Sequence, residues 1–232
     1  MAGAGGVAAQ DGGPRLVADL GCGPGHTTAL LARHFGAALV VGVDTSAAFL
    51  SEARRRGAPR CCYVRADVGQ PLPVLDADVA YARFVLAHLP SPEAVVSSWG
   101  RSVTPRGALV LEEPARIDTE DVDFRRYLDL AAAVVSARGA DLFVGARLRA
   151  LDCAPGWETV VDRDVELEVA VGPAAGMFVR NLRTWSGDPA LAGRVSPGEV
   201  EALAARLGAR LADDARGVIR WHIRQVVKTR PA

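Results

Sequence analysis

Two acids and three glycines carry the chemistry that this sequence advertises. Asp19 precedes the loop Gly21-Cys22-Gly23-Pro24-Gly25-His26, and Asp44 closes the apolar run Val40-Val41-Gly42-Val43. Glycine has no Cβ and enters positive φ freely, so alternate glycines let the backbone turn and approach a ligand closely. A carboxylate aimed into such a loop repels a pyrophosphate and attracts an ammonium. One at the end of the next strand can accept from both hydroxyls of a ribose, and a hydrogen bond to a charged group is worth about 1.5–3 kcal/mol. A dinucleotide-binding loop sets its third glycine three residues after the second, to seat a pyrophosphate on the helix N-terminus; here His26 holds that place. The spacing therefore points to a nucleoside ligand bearing an ammonium.

The elements that must position these groups follow from apolar patterning. Leu16 to Leu20 is short and β-compatible, and a helix begins at Thr27. Strand, glycine turn and helix open a doubly wound sheet. Cys62 to Val68 forms a third strand whose acid, Asp67, or the neighbouring N–H of Val68 would meet an adenine, with Ala66 beside them. Asp78 to Pro90 runs from a fourth strand into a loop, and Thr104 to Glu113 forms a fifth.

The pieces DLGCGPG, VVGVD, ADV, the fourth strand with HLP, and TPRGALVLEE resemble, in order and spacing, the class I methyltransferases dependent on S-adenosylmethionine, in their small-molecule branch. The resemblance is close over about residues 15–115 and loose beyond. It implies an α/β, doubly wound, mostly parallel seven-stranded Rossmann-like sheet with an antiparallel C-terminal hairpin. It also implies S-adenosylmethionine as cofactor and methyl transfer to an O, N or C atom of a small organic molecule, with bacterial specialised metabolites among the candidate acceptors. Cofactor contacts are expected from Asp19, Gly21, Cys22, Gly23, Gly25, His26, Asp44, Thr45, Ala66, Asp67, Val68 and Arg83, the last near the methionine carboxylate. The sequence after the fourth strand, Ala82-Arg83-Phe84-Val85, lacks the proline- and aromatic-containing tetrapeptide of adenine-N6 methyltransferases.

A sulfonium methyl is already activated, so alignment and exclusion of water are the main tasks, and proximity can supply up to about 7–11 kcal/mol. A base is optional. His88, just past the fourth strand, has a side chain whose pKa suits that role. Glu112 and Glu113 alternate in direction, so one faces the pocket; Glu113 is the expected substrate contact, the other capping or pairing with Arg116. A second reading is a methyltransferase-like fold that binds the cofactor without methylating, as a cyclase, a rearrangement catalyst or a non-catalytic partner. A nicotinamide-dependent oxidoreductase is a third.

The 232 residues carry 27 basic and 27 acidic side chains and are 50% apolar. Zero net charge argues against a nucleic-acid or anionic-membrane surface. The chain shows no membrane span and no secretory signal, and a cytoplasmic place is expected. Cys22, Cys61, Cys62 and Cys153 form no CxxC pair and read as reduced, buried thiols, and the four histidines lack metal-ligand spacing, so no metal is expected. The oligomeric state is open.

Residues 1–14 are expected to be mobile, and 15–232 to form one methyltransferase domain with helical cap elements within 115–157 and 173–212. Ser46 and Ser91 read as helix caps, the latter before Pro92, and Ser196-Pro197-Gly198-Glu199 as a capping box. Phe124, Leu128, Ala131 and Val135 repeat at helical spacing. Thr159–Val171 and Gly217–Lys228 alternate as the sixth and seventh strands. Relatives usually place helices before the first strand, so here the cap elements supply the lid, the site is open, or the start is truncated. His222 is expected to face solvent or a helix, and Arg54-Arg55-Arg56 to end a helix in solvent.

Overall fold

A computed structural model describes residues 13–36, 38–72, 76–211 and 218–230. The expected mobile start, except Gly13 and Pro14, lies outside the described residues, as do Gly217 and Ala212 at the expected edges of the last strand and the cap.

The chain forms β1 (Leu16–Leu20), α1 (His26–Phe35), β2 (Leu39–Asp44), α2 (Ala47–Arg56), β3 (Cys61–Arg65), β4 (Ala77–Arg83), α3 (Pro92–Arg101) and β5 (Val103–Asp118). Then follow α4 (Val122–Ala137), β6 (Glu158–Ala170), α5 (Val171–Trp185), α6 (Pro197–Gly208) and β7 (Val218–Thr229). Seven strands make one sheet in the order β3-β2-β1-β4-β5-β7-β6. The first five run parallel, while β7 is antiparallel to both β5 and β6. Parallel strands buried on both faces need apolar side chains of both parities. In β1, Ala18 and Leu20 join the core with Trp99 of α3, whereas Val17 joins the core under Leu31 and Ala32 of α1.

A third core lies over the carboxyl end of β5. Phe124 and Tyr127 of α4, Phe178 and Leu182 of α5, and Leu203 and Leu207 of α6 pack on Ile117 and Ile219, where β5 and β7 run past the parallel strands. Tyr127 and Phe178 stack with centroids 3.8 Å apart. A short 3-10 turn follows α4 at Val144–Ala150.

Several local expectations hold. Ser46 Oγ accepts from Phe49 N–H at 3.2 Å, and Ser196 with Glu199 closes a full capping box. Others need correction. The third strand ends at Arg65, leaving Asp67 in a loop. The fifth continues to Asp118 through Pro114, which a register shift between Pro114 and Arg116 accommodates. Ser91 precedes α3, but its backbone sits at φ 54 and its hydroxyl makes no cap bond. The sixth and seventh strands pair antiparallel without a tight turn, because α5 and α6 intervene. Cys62 is exposed rather than buried. His222 is partly covered on the outer face of β7, its Nε2 2.8 Å from the exposed Asp118 and 3.0 Å from the exposed Arg116 guanidinium, as a residue facing the solvent side would be.

Candidate active site

Parallel strands present their carboxyl ends along one edge, and ligands bind where the strand order reverses. Here that switch lies between β1 and β4. The glycine loop follows β1, and the turn Phe84-Val85-Leu86 follows β4.

The loop is pinned from beneath. Gly21 and Cys22 N–H both donate to the Val43 carbonyl, at 2.8 and 3.0 Å, and Gly25 N–H donates to Cys22 O at 3.1 Å. Gly23 N–H donates to Asp44 Oδ2 at 2.9 Å. All four amides are therefore spent within the protein, and the loop offers no row of free N–H groups to a pyrophosphate. The three glycines share positive φ but differ in surroundings. A Cβ on Gly21 would lie 2.4 Å from Val85 Cγ2, and one on Gly25 2.8 Å from Ala53 Cβ and from Tyr63 Oη. A Cβ on Gly23 meets nothing within 4 Å, so this glycine faces the open crevice.

Asp44 ends β2 half-buried, its Oδ1 accepting from Ser46 N–H at 2.8 Å. A carboxylate has about four lone-pair sites. Two are spent on the loop and the α2 cap, leaving about two for hydroxyls. Thr45 is exposed next to it. Ala66 N–H donates to Asp44 O at 3.2 Å, which brings the adenine-side segment against the end of β2. Asp67 is exposed with Oδ1 held by Gly69 N–H at 2.8 Å, while Val68 is buried and its carbonyl accepts from Trp99 Nε1. His26 is exposed at the start of α1.

Asp19 and Cys22 lie deeper than expected. Asp19 is buried and accepts from Thr28 Oγ1 at 2.6 Å. Burial pushes its carboxyl up to about 7, against the lowering bond from Thr28. In this structure Asp19 therefore anchors the first turn of α1 to β1 rather than projecting into the crevice. Cys22 Sγ is buried, its thiol pushed up to about 12 by burial first and then by Asp19 and Asp44.

The two glutamates exchange their expected parts. Glu113 is completely buried, and its Oε1 accepts from Val85 N–H and Leu86 N–H, both at 2.7 Å. It does not face a substrate pocket. Glu112 faces the α1 side of the sheet, accepting from Tyr81 Oη at 2.7 Å and Gln225 Nε2 at 2.6 Å, and does not pair with Arg116. Arg83 lies on this same face, its Nε 3.6 Å from Glu112 and its guanidinium 4.7 Å from the Phe84 ring centroid. Arg83, Glu112 and Arg163 line a cavity of about 200 Å³ whose other walls include Leu30, Val110 and Val165. Thr27 of the first α1 turn also lines it, so it adjoins the glycine loop. Arg83 thus borders a mostly apolar space rather than the crevice between the loop and Asp44.

His88 is exposed on the turn after β4. Desolvation by the surrounding protein, and then the Arg138 guanidinium, hold its imidazole below the usual histidine range. Sequence reasoning missed Thr28, Tyr81, Phe84, Arg163 and Gln225. Tyr81, Arg163 and Gln225 come together by register across the sheet, on β4, β6 and β7, while Thr28 comes from the first turn of α1 and Phe84 from the turn after β4. Among the described residues no group of three or more His, Cys, Asp or Glu side chains is arranged to hold a metal. No helix among them is long and apolar enough to cross a membrane.

A 3-2-1-4-5-7-6 sheet, with a glycine loop opening on its switch point and an acid ending its second strand, is the plan of the class I S-adenosylmethionine-dependent methyltransferases, and this chain shares that fold. Residues 18–111 match a family model described as a methyltransferase domain. The chain is 33% identical over 156 residues to a trans-aconitate 2-methyltransferase of Methylobacterium radiotolerans, covering 67% of this chain and 60% of that one. It therefore spans less than two thirds of that relative's length. Among solved structures, a Bacillus halodurans C-125 protein aligns over 97% of this chain and 96% of its own, with TM-score 0.63 and 18% identity. The [4+2]-cyclase SpnF aligns over 94% of this chain and 75% of its own, with TM-score 0.54 and 20% identity. These two likenesses concern the fold.

Proposed function

We propose that this chain transfers a methyl group from S-adenosylmethionine to a small organic molecule. The observation that carries the reading is the loop itself. Its amides are satisfied internally, Gly23 fronts open space, and Asp44 keeps lone pairs beyond those given to Gly23 and Ser46. Gly23, Asp44, Ala66 and Val68 would hold the nucleoside, with His26 and Thr45 at its exposed margin. When bound, the cofactor supplies an activated methyl group.

The acceptor we favour is a carboxylate oxygen. The cavity beside the loop carries two guanidiniums, Arg83 and Arg163, against one carboxylate, Glu112. Glu112 already accepts from two neutral donors, and the terminal nitrogens of Arg83 make no protein hydrogen bond among the described residues. A guanidinium suits a carboxylate because its donors match that geometry. The relatives named as trans-aconitate methyltransferases support an acid of this kind without naming this chain's substrate. A carboxylate has no proton to remove, so its methylation needs no base. A phenol or an ammonium needs one, and His88, held neutral by its surroundings, would serve. A specialised-metabolite acceptor has no support beyond the sequence. The chain's zero net charge favours a small acceptor over nucleic acid, and we place the enzyme in the cytoplasm.

The test is calorimetric titration with S-adenosylmethionine and S-adenosylhomocysteine against NAD as control, followed by methyl-labelled turnover on a panel of small carboxylic acids. Micromolar binding of the sulfur nucleosides alone, with label transferred to an acid, is expected. Binding without label transfer would favour the non-methylating reading, for which the fold shared with a cyclase gives precedent. Binding of NAD alone would overturn both.

A further inference from the structure

We propose that Glu113 is a positioning residue of the methyl-transfer site, its buried carboxylate holding the turn after β4 against the glycine loop. The inference rests on the reading that the crevice binds S-adenosylmethionine.

The turn needs holding. Phe84 sits at φ 57, a left-handed conformation that crowds an L side chain against the following carbonyl. Such a residue persists only where its surroundings over-determine it. Two neighbouring acids of β5 supply the determination by different means. Glu112 uses its backbone carbonyl, which accepts from Phe84 N–H at 3.0 Å. Glu113 uses its side chain, one oxygen taking the next two amides, Val85 and Leu86, at 2.7 Å each. These are charge-assisted bonds when the carboxyl is ionised, about twice as strong as neutral ones.

The held turn is in contact with the loop. Val85 is the residue against which a Cβ on Gly21 would collide, so its side chain fills the space that this glycine leaves. The contact continues from Glu113 through the Val85 amide and side chain to Gly21. Gly21 is fixed in turn by its bond to Val43 O, next to Asp44. Moving Val85 by a fraction of an ångström changes the floor of the crevice at the β1 end, since close-packed neighbours transmit displacement. Behind Glu113 there is no room to retreat. The turn at Val144–Ala150 presses there, and a Cβ on Gly145 would lie 2.5 Å from the Glu113 carbonyl oxygen. A buried carboxyl is a costly way to fill space. Oε2 has no hydrogen-bond partner among the described residues, so the bonds from this side chain to the turn run through Oε1.

The experiment compares wild type, Glu113→Gln, Glu113→Ala and Val85→Ala by calorimetry with two probes. One is S-adenosylhomocysteine, and the other is 5′-methylthioadenosine, which lacks the amino-acid end. Circular dichroism checks each fold. Gln keeps an acceptor oxygen for both amides and stays within about threefold of wild type. Ala weakens S-adenosylhomocysteine at least tenfold while changing methylthioadenosine less than threefold. Val85→Ala leaves the carboxylate in place and gives the same ligand-selective loss, so the inference remains testable if Glu113→Ala does not fold. Unchanged binding in both alanine variants, equal losses for the two probes, or a Gln variant as weak as Ala would overturn it. Failure of wild type to bind S-adenosylhomocysteine would instead remove the functional reading on which it stands.

Discussion

Replacing Asp44 tests the reading most directly, provided two effects are separated. Its carboxylate accepts from Gly23 N–H at 2.9 Å and from Ser46 N–H at 2.8 Å. Asp44→Ala therefore removes any bond to a ribose and also releases the loop and the α2 cap. The ribose part is at least one hydrogen bond to a charged group, about 1.5–3 kcal/mol, or about ten- to a hundredfold in Kd. The structural part is of similar size, since each N–H left unpaired costs about 1–3 kcal/mol if water cannot reach it. A simple loss of affinity would not tell them apart.

A cycle does, because coupling energy isolates the pairwise interaction. Wild type and Asp44→Ala are each titrated with S-adenosylhomocysteine and with its 2′,3′-dideoxy analogue. In wild type, removing the hydroxyls should weaken binding about ten- to a hundredfold. In Asp44→Ala the two ligands should bind alike, within about twofold, whatever the loop has lost. If the variant still discriminates by the wild-type factor, the hydroxyls are read elsewhere and the assignment of Asp44 to the ribose is wrong.

Gly21→Ala and Gly23→Ala should separate packing from ligand space. The first forces a Cβ to within 2.4 Å of Val85, an overpacking expected to cost about 1–3 kcal/mol, seen in thermal denaturation as about 2–4 °C per kcal/mol. The second meets no protein atom within 4 Å, so it should unfold at a temperature closer to wild type yet lose cofactor affinity. Burial raises the Asp19 carboxyl from 3.8 to about 7, so the folded state holds its proton more tightly than the unfolded chain does. The stability linked to that proton is full below about pH 4 and lost as pH climbs through about 7. Asp19→Asn keeps an acceptor for Thr28 and has no charge to bury, so its melting temperature should fall less than wild type between pH 5 and 8. Equal falls would place the titration elsewhere. His88→Gln should leave kcat for a carboxylic acid within about tenfold but cost about 10²–10⁴-fold for a phenolic acceptor. Single-turnover rates on both substrates decide it.

What the sequence disclosed is what neighbouring residues decide. The glycine loop, the acid ending β2, the Ser46 cap and the Ser196 capping box depend on spacings of a few residues, and they stand where spacing puts them. Glu112 and Glu113 show the limit. Alternation along a strand says that they face opposite ways, but not which face holds the cavity. That depends on α1 on one side and the Val144–Ala150 turn on the other, elements remote in sequence. Arg83 was misplaced for the same reason. Pro114 reads as a strand terminator, yet β5 continues because the shift in register beside β7 absorbs the missing donor. Ser91 has the right type and place for a cap, and only the positive φ of its backbone turns the hydroxyl away from that use.

The position of β7 bears on how the molecule is made. It follows β6, α5 and α6 along the chain, yet it lies between β5 and β6 in the sheet. During synthesis both of its partners emerge first and have no pairing with each other. Each presents an open edge until β7 threads between them, and open edges invite pairing with other chains. Late, long-range strand insertion of this kind is slow. The charges along β6, where Asp162, Asp164, Glu166 and Glu168 fall at every second position, keep that waiting edge soluble before they find Arg220 and Arg224 on the arriving strand.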